Sequence, residues 1–199
     1  MFLKSDFLKT VVCLALIFVL FSAPVGAVVV SDFTSLEQAV ENGGTQTIYV
    51  SDNIDMRALN IPNGADITLM PEGKDVILSF ENIVNTVSQC IYIHKTSNLT
   101  LSGNTGYTLT IKGSEISGPL IANIGKLTLE SGAVITCHTS TSTSAGVKNK
   151  GVFIMNGGEI SHMSGKLGGA VSVIDGGSFI MNSGIITKNI ANNGAGIYL

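Results

Sequence analysis

The sequence predicts an all-β fold: a right-handed, single-stranded parallel β-helix, a solenoid of about 25 residues per coil. Three observations carry this expectation. The lines "GVFIMNGGEIS" from Gly151 and "GSFIMNSGIIT" from Gly177 are nearly the same text, 26 residues apart. Apolar residues within each unit alternate, as in Leu127-x-Leu129, Phe153-x-Met155, Val171-x-Val173 and Phe179-x-Met181, and a period of two belongs to a strand. Clusters of glycine and asparagine ("NGG", "SGKLGG", "DGG", "NSG", "ANNG") punctuate the strands, and that glycine density excludes helix.

The first element lies outside this fold. "MFLKSDFLK" carries Lys4 and Lys9, "VVCLALIFVLF" is a short apolar run, and "PVGA" ends in small residues. Together they read as a secretory signal peptide over residues 1–27, cut after Ala27, which leaves 28–199 as the mature chain. No second apolar run follows, so no further membrane segment is expected. The next element, "SDFTSLEQAVENGG", places Gln38 three residues after Ser35 and sets Leu36, Ala39 and Val40 on one face. This reads as a short helix over 34–42, suited to capping the open end of a stack.

Strands follow in order: "TIYV", "ADITLM", "NLTLSG" at Asn98, "TLTIKGSEI" at Thr108, then the clearest repeats over 127–199. Phe153 and Phe179, Met155 and Met181, and Ile160 and Ile186 all match at a spacing of 26; a one-residue slip sets Ile135 out of strict period. Stacking should lay Phe153 against Phe179 and Met155 against Met181, because one coil cannot bury its own apolar side. From Thr47 to Leu199 there is room for roughly six coils, a rod of about 30 Å. The text stops at "GIYL", within a repeat, so the rod is expected to continue beyond residue 199 or else to associate end to end through an open edge. A leucine-rich repeat has a similar period, but its asparagine ladder and "LxxLxLxxN" spacing are absent.

Without the signal peptide, the 11 basic residues lose Lys4 and Lys9 and the 14 acidic ones lose Asp6, leaving 9 against 13. An acidic balance with no basic cluster argues against nucleic acid or an anionic membrane as partner. Cys90 and Cys137 remain. A secreted pair invites a disulfide, but two coils would separate their backbones by about 9.6 Å, beyond the roughly 7 Å that a bridge tolerates. The other expectation is a pair of buried, inert thiols.

Here the order "SLEQAVENGGTQTIYVSDNI", "IPNGADITLMPEG", "NLTLSG" and "GVFIMNGGEIS…GGAVSVI" resembles the pectin-lyase-like β-helix regions of large secreted, adhesin-like surface proteins of gut bacteria and methanogenic archaea. The resemblance spans nearly all of 28–199. It implies a cell-surface rod or stalk, with any binding or enzymatic parts elsewhere in a longer protein.

Since such folds also include polysaccharide lyases and hydrolases, the carboxylates matter. Glycoside hydrolysis needs two of them at a fixed separation. Glu115, Glu130, Glu159 and Asp175 form no column: Glu130 falls opposite Asn156 and Glu159 opposite Ile185. The only arginine is Arg57, in an irregular stretch, and the "NTD", "DD", "GHG" and "RIK" signatures of polygalacturonase-type hydrolases are missing. One column does collect reactive types: Cys137, His162 and Lys188 align, with His138 beside Cys137. Zinc or a Cys–His nucleophile comes to mind. Yet Lys stands on the third rung and the spacing fits no zinc signature, so solvated corner side chains are expected; His94 stands alone.

Thr136, Ser161 and Thr187 make a hydroxyl column too short for a flat ice-binding face. The run 138–146, "HTSTSTSAG", reads as a solvated loop, and Asn98-Leu99-Thr100 as a sequon inside a strand. Tryptophan is absent and the aromatics are expected mostly at core positions, which leaves no sugar platform. No residue is therefore assigned a catalytic, cofactor-binding or metal role. The expectation is a secreted or cell-surface, non-catalytic stalk or display module. Its partners would be an extracellular glycan or a surface component of a host or neighbouring cell, met through corner loops such as 138–146. The alternative is the N-terminal part of an extracellular polysaccharide lyase or glycoside hydrolase with its active site beyond residue 199.

Overall fold

The computed structural model describes residues 27–83, 88–141 and 144–199. Apart from Ala27, the predicted signal peptide 1–27 lies outside the described residues.

The described residues are mostly strand, laid out as three parallel sheets with one helix. The first sheet holds, in spatial order, Val28–Val30, Thr45–Val50, Asp66–Pro71, Asn98–Leu101, Lys126–Leu129, Val152–Met155 and Ser178–Met181. The second runs through Ile54–Asp55, Val76–Ser79, Leu109–Lys112, Ala133–Ser140, Glu159–Leu167 and Ile185–Thr187, with Glu115–Ile116 and Ile190–Asn193 beside it. The third holds Leu59–Ile61, Ile91–Ile93, Ile121–Asn123, Val147–Asn149, Val171–Val173 and Ile197–Tyr198. From Thr45 onward the chain visits first, second and third sheet in that order, six times over.

The alternation in the sequence decides which side chains face inward. In Asp66–Pro71 every second residue is buried, and Leu99, Leu101, Leu127, Leu129, Phe153 and Met155 are fully so. They form one continuous hydrophobic cluster from Val30 to Val171. Each such side chain removed from water contributes about 1.5–3 kcal/mol. The expected columns are present. Leu127 pairs with Phe153 and Phe153 with Phe179; Leu129 pairs with Met155 and Met155 with Met181. The two phenylalanine rings sit 4.9 Å apart at 36°.

The slip has a local cause. Partners are 26 residues apart from Leu127 to Phe153 but 25 apart from Ile135 to Ile160, so one residue is lost in the bend between first and second sheets. Gly132 and Gly158 occupy this bend with φ of 76° and 73°, the left-handed region where a side chain would strain the backbone. Further back the period departs from 25. First-sheet partners are 21 apart from Thr45 to Asp66 and 32 apart from Asp66 to Asn98, because the connections between strands are short in one circuit and long in the next.

The helix runs from Phe33 to Glu41, one residue ahead of the predicted 34–42. Its cap is Asp32 rather than Ser35. The Asp32 carboxylate accepts the Ser35 amide at 2.9 Å, and Ser35, at the third helical position, reaches back to the Asp32 amide. Aspartate at this place also matches the positive end of the helix dipole. Phe33 is buried along with Leu36, Ala39 and Val40, and the lone Arg57 covers the Phe33 ring at 5.7 Å. The helix packs beside Val28–Val30, an unanticipated strand whose residues pair with Ile48–Val50 at the edge of the first sheet.

Candidate functional site

The second sheet aligns the reactive column as the spacing predicts: Thr136 pairs with Ser161 and Ser161 with Thr187, with Cys137, His162 and Lys188 next in line and exposed. All three adopt left-handed backbone, with φ of 56°, 56° and 55°. The column is a bend repeated in successive strands, built without glycine and therefore invisible as a turn in the sequence. Each such residue costs about 1–2 kcal/mol. The side chains stay with their own rung: Cys137 Sγ lies 3.5 Å from Thr136 Oγ1, and His162 Nδ1 lies 3.1 Å from Ser161 Oγ. Among the described residues, no three His, Cys, Asp or Glu side chains gather where they could hold a metal ion. Thr136 and Ser161 do share a hydrogen bond of 3.2 Å, but Ser161 is buried, so no open hydroxyl face results.

His138 corrects an expectation. It is buried, not solvated, because the left-handed turn at Cys137 sends the next side chain inward. The geometry fits a neutral ring whose Nε2–H donates to the Gly118 carbonyl at 2.9 Å and whose Nδ1 accepts the Ser114 amide at 3.3 Å. Burial holds its pKa below the usual histidine range, and the Gly118 carbonyl partly opposes that. With Cys137 exposed and His138 buried, the two make no nucleophilic pair. The run 138–146 is likewise not a solvated loop. Its first residues continue the strand Ala133–Ser140, and His138, Ser140, Ser144 and Ala145 are buried; residues 142 and 143 lie outside the described residues.

Cys90 and Cys137 are free, Cys90 buried and Cys137 exposed, which corrects the expected buried pair. Cys90 enters a third-sheet strand while Cys137 lies in the second sheet, so sheet as well as coil separates them. Burial pushes the Cys90 thiol up to about 12, which removes it as a nucleophile.

The bend between the third and first sheets carries a short asparagine ladder. Asn123 and Asn149, partners 26 residues apart, are both buried; Asn123 donates to Asn149 Oδ1 at 2.7 Å and to the Val152 carbonyl at 3.0 Å, and Asn149 to the Ser178 carbonyl at 2.8 Å. These amides tie the bend between the third and first sheets. Outside, Asn182 bonds Asn156 and Asn156 bonds Glu130, each at 2.8 Å, which accounts for that carboxylate.

A cleft lies on the outer side of the third sheet, with a volume of about 370 Å³. That is within the range of ligand pockets, roughly 300–1,000 Å³. Tyr92, Ala122 and Lys148 are register partners on three successive strands, so a small residue stands between an aromatic ring and a cation. Gly118 and Pro119 form one wall, with Ser88 and Gln89 against them. A Cβ at Gly118 would collide with the Ser88 carbonyl, so only glycine lets the wall close there. Lys150 reaches Asp175 at 2.7 Å, and this pairing holds the Asp175 carboxyl below its usual range. The sequence carries no signal for this cleft, because its aromatics are expected mostly at core positions; Tyr92 instead faces outward, its ring 4.7 Å from that of His94 and at 90° to it.

No family model, no curated protein and no solved structure matches the chain. Among the described residues no helix is long and apolar enough to cross a membrane.

Proposed function

We propose that the chain is a right-handed, single-stranded parallel β-helix, and that it serves as a secreted or cell-surface, non-catalytic stalk or display module of the adhesin-like kind. The observation that carries the reading is the cyclic sheet order: first, second, third, six times, with parallel pairing from each circuit to the next. A chain wound in this way grows along one axis by about 4.8 Å per circuit. It offers stiffness and length, and its inward positions are committed to the core.

The carboxylates support a non-catalytic role. Glu130 is held by Asn156, Asp175 by Lys150 and Glu81 by Lys112, each on a different bend. The test is expression with the native leader in a bacterial host. The expected product is exported, begins at Val28, and gives a far-UV spectrum dominated by strand. Incubation with acidic and neutral polysaccharides should release no new reducing or unsaturated ends. Retention in the cytoplasm, a predominantly helical spectrum, or release of sugar fragments would each overturn the reading.

A further inference from the structure

We propose that the third-sheet cleft binds a small organic anion: one ring-sized unit bearing a carboxylate, with the carboxylate on Lys148 and the ring against Tyr92 above Ala122. This goes beyond the display reading and does not depend on it. The stacking fixes the inward residues of these strands, Ile91, Ile93, Ile121 and Val147, which are all fully buried. It does not fix the outward ones. The fold therefore gives no reason for an aromatic, a methyl and an ammonium to follow one another on successive rungs. As a site they complement each other. Two rungs put Tyr92 and Lys148 about 9.6 Å apart along the stack, and Ala122 leaves the space between them open.

Charge selects the ligand class. Lys150 is engaged by Asp175, while among the described residues Lys148 makes no ion pair. Asp175 acts on Lys148 only at longer range, as the smallest cause of its own lowered pKa, so the cleft offers one ammonium without a direct ionic partner. A single carboxylate satisfies it. Tyr92 brings an aromatic ring to the lining of the cleft, the kind of surface on which a cyclic ligand can pack, and its ring stands at 90° to that of His94, 4.7 Å away. The wall is also pinned from behind, since His138 donates to the carbonyl of Gly118. The ligand is then either a free cyclic acid or an acidic sugar residue; both carry the same recognised group.

Titration calorimetry on the purified chain, with glucuronate, benzoate, glucose and acetate as probes, tests the assignment. Glucuronate or benzoate should bind, whereas glucose, lacking the charge, and acetate, lacking the ring, should bind at least about tenfold more weakly, the scale of one charge-assisted hydrogen bond. A preference for glucuronate assigns the site to acidic sugars, and a preference for benzoate to free cyclic acids. Lys148→Gln should weaken binding by a similar factor, and added salt should do so progressively. Ala122→Phe should fill the cleft from an outward position and block binding with the far-UV spectrum unchanged. Lys126→Gln, an exposed lysine on the first sheet, is the control and should bind as the parent does. Glucose binding as tightly as glucuronate, an Ala122→Phe variant that binds normally, or no binding of either cyclic acid would overturn the proposal.

Discussion

The strands Val152–Met155 and Ser178–Met181 carry almost the same residues and lie in register side by side, yet their fates differ. Phe153 and Met155 are fully buried, whereas Met181 is 42% exposed and Phe179 only half-buried. The third sheet repeats the contrast: Val171 is buried and its partner Ile197 is 40% exposed. The difference is the number of neighbours. Among the described residues, Val152–Met155 has a strand on either side and Ser178–Met181 a strand on one side. Alternation in the sequence decides which residues face inward, but adjacent circuits supply the burial. The core here is a property of the stack, not of any one unit.

The largest test of that statement is a pair of substitutions. Met155→Asp would place a charge without a partner in a sealed column, costing more than the roughly 2–5 kcal/mol of simply emptying the site. That is comparable with the whole stability of a domain, about 5–15 kcal/mol, so loss of the cooperative melt and of the far-UV strand signal is expected. In residues 28–199 taken alone as a monomer, Met181→Asp, at the register partner, should cost about 1 kcal/mol or less, because its charge stays hydrated while no further strand covers it. Equal losses at the two positions would mean that something other than stacking makes the core.

What the sequence made legible follows the same division. Spacing and alternation placed the columns of Phe153, Met155 and Ile160 correctly, since stacking forces periodicity on whatever faces inward. Features answering to a single local contact left a weaker trace. Asn123 and Asn149 do repeat at 26, in "IAN" and "VKN", but a polar residue at a strand end reads as a turn until its amide is seen to bond its counterpart on the next rung. His138 opens a run of serines and threonines and reads as solvated; it is covered because Glu115–Ile116 pairs with Thr139–Ser140 beside it. Ser35 looks like a cap because Asp32, three residues earlier, shares the same box. The cleft carried least signal of all, since nothing periodic constrains outward positions.

His138 offers the intermediate test, comparing one circuit with the next. Its register partner is Met163, so the same buried place is filled by a titratable ring in one strand and by a thioether in the other. Burial lowers the folded pKa of His138, and the unfolded chain takes up its proton at the ordinary value of about 6.5. The unfolded state therefore binds more protons between those two values. The contribution of His138 is complete above the ordinary value and is lost as pH falls through it toward the lowered one. Thermal melts taken from about pH 7.5 down to 5 should show this fall. His138→Met, which borrows the residue of the next rung, should flatten that part of the curve. An unchanged slope in the variant would remove His138 from the account.

The smallest effect probes a feature that should ignore the number of neighbours altogether. Cys137, His162 and Lys188 share one left-handed bend, and a positive φ is a cost internal to each residue. Replacement by glycine recovers about 1–2 kcal/mol of that strain, less the roughly 0.5–1 kcal/mol that glycine loses through its greater freedom in the unfolded chain. A net gain of up to about 1 kcal/mol is expected from Cys137→Gly in a denaturant melt. Lys188→Gly, on a strand with one neighbour, should gain as much as Cys137→Gly, on a strand with two, whereas the methionine pair should differ severalfold. If instead the glycine gain shrank toward Lys188, the bend itself would be a product of stacking, imposed by adjacent strands on a backbone that does not otherwise adopt it. The distinction between what a unit supplies and what its neighbours supply would then reach down to the backbone torsions.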